Sequence, residues 1–211
     1  MCLSEHYSHF FEVKTTVLAA LWCGLLALLW IVLPHCVEAT GSDAEWQDLL
    51  AGEVLTTPVR NVEGLPGVRA MFTVTASRQR IWSVLVDYRH FPQIFPALNK
   101  LRVLSQDAQG ARVEYWANAA FLRLHYVLYR HYIEPGRRLT WSRVAGDLKR
   151  IEGSWEIRDT PRPGVHLLVY ESYVQVGSLI PTTLVRQSAL RKAQEMGERL
   201  RAWIEGRVAT N

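Results

Sequence analysis

The sequence is poor in cysteine, and the little it has is confined to one end. Cys2, Cys23 and Cys36 all precede residue 40, so the rest of the chain has no disulfide, no thiolate nucleophile and no cysteine-based metal site. Basic side chains are missing from a second stretch: after Lys14 the next lysine or arginine is Arg60. No G-x-S-x-G, H-E-x-x-H or P-loop pattern occurs, which removes the usual serine-hydrolase, zinc-protease and nucleotide-binding signatures. Histidine does not fill the gap. His125 and His131 lie six residues apart on one predicted strand; they share a face but sit ~20 Å apart, too far to hold one metal ion. His166, at a strand end and facing inward, reads as a core histidine. The residues therefore call for no metal and no cofactor.

What the N-terminus does have is an uncharged run, VLAALWCGLLALLWIVL from Val17 to Leu33. It is longer than the ~7–15 residues of a signal-peptide core and shorter than the ~20 of a spanning helix. Pro34 breaks it, and Val37 and Ala39 put small residues where cleavage before Thr40 would need them. Residues 1–39 thus read as a signal peptide or as a retained membrane anchor. Either way Lys14 stays inside while Glu38, Asp43, Glu45 and Asp48 follow the run, so the charge asymmetry sends the rest of the chain across the membrane. An extracytoplasmic protein, periplasmic or secreted, is expected.

Taking one lysine and three glutamates of residues 1–39 from the 24 basic and 20 acidic residues leaves a net charge of +6. That favours anionic membrane surfaces. The basic residues are scattered rather than gathered in a stripe, so nucleic acid is not an expected partner.

Beyond residue 40 the pattern is mixed. Residues 40–66 form a polar lead-in: GSDAEW looks loose, and GEVLTTPVRNVEGLPG suits a sheet edge limited by Pro58 and Pro66. Residues 67–76 alternate as a strand. SRQRIWSVLV (77–86) reads as a helix with Ser77 as N-cap and Pro92 ending it. Strand-like runs follow at 101–106, 111–118, 121–133, 137–144, 149–159 and 165–176, with DAQG and TPRPG as turns. In 150–158, Ile151, Gly153, Trp155 and Ile157 point one way and the charged residues the other, as in an antiparallel sheet covered on one side. The same parity turns Val113, Tyr115, Leu139, Trp141, Leu168, Tyr170 and Val174 inward. For 121–133 we assign Leu122, Leu124, Tyr126 and Leu128 to that side. After Pro181, an apolar stripe from Leu184 through Ala189, Met196 and Leu200 to Ile204 marks a long final helix, the only element able to cover the sheet.

The stretches VDYRHFPQIFPALNKLRVL, GDLKRIEGSWEI and PTTLVRQSALRKAQEMGERLRAWIE resemble the polyketide cyclase/dehydrase and lipid-transport family. That family sits in the START-related helix-grip superfamily, together with coenzyme-Q-binding proteins. The resemblance covers residues 67–206, leaving 207–211 as a tail. It implies an α+β helix-grip fold, a curved antiparallel sheet around the C-terminal helix with two short helices after the first strand. Such a fold implies an apolar cavity, with Phe91, Ile94 and Phe95 closing one end where a ligand enters.

Tyr115, Tyr126, Trp141, Trp155 and Tyr170 would line that cavity from the sheet, and Leu184, Ala189 and Met196 from the helix. Inward aromatics serve as plain core packing as readily as they serve ligands, and the residues leave both readings open. Tyr126 or Tyr170 could hydrogen-bond a buried head group. Glu171 and Arg143 near a pocket mouth are read as exposed ion-pairing residues. Two functions remain: binding or transport of a hydrophobic small molecule, lipid- or quinone-like, and cyclase or dehydratase chemistry on a polyketide-like or aromatic substrate. No paired acid and base is found for the second, so no catalytic residue is assigned. The oligomeric state is not encoded in any pattern here.

Export is directly checkable. A reporter active only outside the cytoplasm, fused after Asn211, is expected to work; activity of a cytoplasm-only reporter at that position would refute it.

Overall fold

The computed structural model describes residues 43–95, 97–119, 122–175 and 182–207, and the side chains among them other than those of 119, 122 and 182–186. Residues 1–39, the side chains of Leu122 and Leu184, and Pro181 lie outside that set.

The lead-in is more ordered than its sequence suggests. Residues Asp43–Ala51 form helix α1, and Leu55–Arg60 form strand β1, the edge of the sheet. Strand β2 (Pro66–Thr75) follows, then helix α2 (Arg78–Val86). The Ser77 side chain accepts the Arg80 N–H at 3.2 Å, which caps α2 as expected. Pro92 does not end this helix. Asp87 leaves helical geometry first, and Pro92 falls in the first turn of the short helix α3 (Phe91–Ile94), after a 3₁₀ turn at Tyr88–His90. A proline lacks only an N–H that the first turn leaves unpaired anyway, so it starts a helix without cost.

Six strands complete the sheet: β3 (Leu98–Gln106), β4 (Gly110–Ala119), β5 (Leu122–Glu134), β6 (Arg138–Gly146), β7 (Arg150–Asp159) and β8 (Val165–Gln175). All neighbours are antiparallel, in the order β1-β2-β8-β7-β6-β5-β4-β3. Helix α4 (Thr182–Ile204) closes the chain. Its backbone comes nearest to β1 and β2. There Gly197 permits the approach: a Cβ would lie 2.8 Å from a Val54 methyl and 3.1 Å from the Phe72 ring. The expected α+β architecture, a curved sheet gripping its last helix, is the one observed.

Register fixes the two faces. Tyr115 pairs with Tyr126, Leu139 with Trp155, Trp141 with Gly153, and Trp155 with Tyr170, so every strand parity inferred from alternation holds. Gly153 is required where it stands. A Cβ there would fall 2.3 Å from the Trp141 indole, which lies across the glycine. The outer face, expected to be wet, is covered at one side. Trp46 and Leu49 of α1 pack on Leu55, Met71, Leu167 and Val169, and the Thr73 hydroxyl donates to the Leu49 carbonyl at 2.7 Å. The sequence signal failed because α1 has a single buried residue and therefore little amphipathic periodicity.

Trp155 is 1 % exposed and packs edge-on against Phe72 and at 4.8 Å from Tyr170. Trp155→Ala is expected to cost about 3–5 kcal/mol in denaturant unfolding. A loss below about 0.5 kcal/mol, the range of surface changes, would contradict this packing.

Candidate functional site

The inner face of the sheet, α4 and the short helices enclose one continuous apolar interior. Toward α2 and α3, Tyr88, Phe91 and Ile94 are 1 %, 2 % and 1 % exposed. Phe91 packs at 5.1 Å on Tyr88 and 4.7 Å on Phe95, which is itself half-buried. Beside them Trp82, Val86 and Trp203 are only half-buried. Toward the opposite end, inward-facing Leu124, Tyr126, Tyr170, Val174, Ala189 and Leu190 keep accessible surface.

The aromatic candidates do converge. Tyr115 stacks on Tyr126 at 5.3 Å, Trp141 on Tyr170 at 5.6 Å, and Trp155 joins Tyr170. Ala189 and Met196 face them from α4.

At their centre lies a residue that the sequence reading did not select. Arg130 follows Leu124, Tyr126 and Leu128 by strand parity, so it also points inward, and it is 4 % exposed. Its guanidinium carbon sits 5.2 Å from the Tyr88 ring, 5.3 Å from Phe91 and 5.1 Å from Trp141. Ring faces attract a cation, most strongly when it is desolvated. They do not satisfy its hydrogen bonds. Nε and Nη2 have no hydrogen-bond partner, and among the described residues no carboxylate pairs with this side chain. The parity that revealed the inward leucines would have revealed Arg130 two residues later. It was missed because a cation in a buried row contradicts the usual hydrophobic-in pattern.

Two more inward donors lack acceptors, the Tyr115 hydroxyl and the Trp155 indole N–H. The Tyr88 hydroxyl is satisfied by that of Tyr132 at 2.8 Å, which also accepts from the Gln106 amide at 3.0 Å. Burial pushes the Tyr88, Tyr115, Tyr126 and Tyr170 hydroxyls above the ordinary tyrosine range, while the Arg130 charge pulls each of them back. The guanidinium itself stays protonated at any physiological pH. Of the described buried polar or charged residues, Thr73 and Glu114 belong to the outer face, and Ser172 and Arg130 to the inner one.

The remaining candidates are peripheral. His125 and His131 face outward, His125 at 2.8 Å from Glu114. His166 faces inward at its strand end, with Nδ1 buried and Nε2 3.5 Å from Asp159. Glu171 pairs with Arg69 at 2.7 Å and accepts from Tyr173, and Arg143 donates to the Gly146 carbonyl. Among the described residues no cluster of metal-ligating side chains occurs.

The raised tyrosines make stability pH-dependent. The unfolded chain releases tyrosine protons near pH ~10, whereas the folded protein holds them to higher pH, so it binds more protons above that point. Stability is therefore expected to fall as pH rises beyond about 10. Tyr126→Phe, which removes one such hydroxyl, should flatten that fall when urea midpoints are compared at neutral and alkaline pH.

Comparison with known proteins agrees with the architecture. No curated protein sequence matches. Among solved structures, a STAR-related lipid transfer protein from Xanthomonas axonopodis is similar at 20 % identity and a TM-score of 0.60, covering 72 % of this chain and 93 % of that one. A START superfamily protein from Mycobacterium smegmatis matches at 18 % identity, TM-score 0.58, over 67 % and 99 %. The Zhui aromatase/cyclase from Streptomyces sp. R1128 matches at 19 % identity, TM-score 0.57, over 68 % and 96 %. At such identities these likenesses establish the fold alone. The family is established by sequence: residues 74–201 match the pattern of the polyketide cyclase/dehydrase and lipid transport proteins, and the chain belongs to that family.

Proposed function

We propose that this protein binds a hydrophobic small molecule with an acidic end group and carries it outside the cytoplasm. The observation behind this reading is Arg130, a buried cation held by rings whose Nε and Nη2 lack an acceptor. Burying an unpaired charge costs several kcal/mol, and the rings Tyr88, Phe91 and Trp141 return only part of that. A carboxylate or phosphate on the ligand would complete the set, and bidentate pairing is what a guanidinium favours. The Tyr115 hydroxyl and Trp155 N–H offer further donors on the same face. The ligand would enter at the end where Leu124, Tyr126 and Tyr170 keep accessible surface and would run head-first toward Tyr88 and Phe91. Its tail would lie along Ala189, Met196 and the inward aromatics. The extracytoplasmic setting rests on the apolar run and the charges flanking it.

One feature favours the family's other chemistry. A guanidinium among phenols also stabilises an enolate, as cyclisation of a polyketide-like substrate would require. Such a reaction needs a base as well. Among the described residues the interior holds no carboxylate, and its histidine, His166, stands at a strand end beside Asp159. The carrier reading fits better.

Arg130→Met distinguishes a functional cation from a structural one. Removing a buried unpaired charge should raise thermal stability, by about 1–3 kcal/mol. It should also weaken binding of a fluorescent long-chain fatty acid at least ~10-fold, the scale of a lost hydrogen bond to a charged group. Binding of the matching alcohol should change little. If wild-type protein, after denaturing delipidation and refolding, takes up neither probe, the carrier reading fails.

A further inference from the structure

The outer face of the sheet divides by charge pairing. On β2, β7 and β8 the cations have carboxylates: Arg69 with Glu171 at 2.7 Å, Arg150 with Glu152 at 2.7 Å and with Glu63, and Arg158 with Glu156 at 2.8 Å. On β3, β4 and β5 the balance differs. Lys100, Arg102, Arg112 and Arg123 all point outward there, and their cross-strand partners place them on one surface. The carboxylate among them is Glu114. It is 8 % exposed and already held by Arg102 at 2.6 Å and His125 at 2.8 Å, which keep its pKa below the ordinary range. Asp147, at the border, accepts from the His125 backbone N–H at 2.7 Å. Among the described residues Lys100, Arg112 and Arg123 have no acidic partner.

An indole lies within this basic field. Trp116 is half-buried, stacked at 5.0 Å on His125, with the Lys100 ammonium 5.0 Å above its ring. Beside it a groove of about 290 Å³ is lined by Asn99, Trp116, Asn118, Arg123 and His125, and it reaches inward to Ala117 and Leu124. Leu124 also belongs to the end of the interior that keeps accessible surface. Basic side chains around an amphipathic ring suit the boundary between lipid head groups and acyl chains.

We propose that this corner of the β3–β5 face docks on an anionic phospholipid bilayer and brings the open end of the interior to the lipid surface. The choice of a lipid over an acidic protein or nucleic acid rests on the hydrophobic-ligand reading. The charge asymmetry does not.

Full-length protein would be partitioned into vesicles of phosphatidylcholine alone and of equal parts phosphatidylcholine and phosphatidylglycerol. The apolar run of residues 17–33 contributes to both, so the measured quantity is the increment due to phosphatidylglycerol. That increment should be large, should shrink with added salt, and should fall about 30-fold in Lys100→Glu/Arg123→Glu, with binding to neutral vesicles unchanged. Arg138→Glu/Arg162→Glu, the same charge change elsewhere on the surface, should leave it intact. An equal loss in both double variants would overturn the proposal, because net charge alone would then explain the binding. So would a wild-type protein indifferent to phosphatidylglycerol. If circular dichroism shows the double glutamate variant unfolded, Lys100→Gln/Arg123→Gln carries the test, with a smaller expected loss of about 5-fold or more. Uptake of the fatty-acid probe is measured separately, so failure of ligand binding and failure of docking give different results.

Discussion

One helix must cover the inner face of an eight-stranded sheet, and the rest of the architecture follows from that mismatch. A helix with its side chains is about 10–12 Å across, whereas eight strands ~4.8 Å apart span more than 30 Å. A flat sheet would leave most of its apolar face wet. The sheet therefore curls, α4 settles against β1 and β2 where Gly197 admits it, and α2 and α3 pack at one end. The strands farthest from α4, β4 to β6, are reached by long side chains alone. That is where Tyr115, Tyr126, Trp141 and Arg130 are found.

Charge is distributed with the same logic. On the outer face carboxylates are plentiful and pair with arginines at modest energetic value. On the inner face the described buried charge is Arg130, and among the described residues no carboxylate pairs with it. Protein interiors seldom tolerate such an arrangement unless another requirement imposes it. An apolar side chain at such a position commonly stabilises a fold. The proposed recognition of an acidic ligand would account for the arginine.

Much of the fold could be read from the chain because the sheet is wet on most of one face. Alternation in 150–158 set the inward side of β7, and cross-strand pairing carried that choice to Tyr115, Trp141 and Tyr170. Where alternation was absent, the reading weakened. Helix α1 buries too little to show periodicity, and Pro92 reads equally as a helix stop or a helix start.

By itself the sequence determined the order of the strands from β2 onward and the face each presents, because local periodicity is a property of neighbouring residues, and three longer stretches carried the resemblance to the family. The set of aromatic candidates belonged to that same information. Tertiary structure alone decided how deeply Phe91 and Ile94 are buried, since burial depends on α4 and β3, far away in the chain. It alone brought Arg130 beside Tyr88, Phe91 and Trp141, with no carboxylate against the guanidinium among the described residues. A charge on an apolar strand reads as an exception until its partners are known, and those partners are fixed by packing between strands and helices that no local pattern encodes.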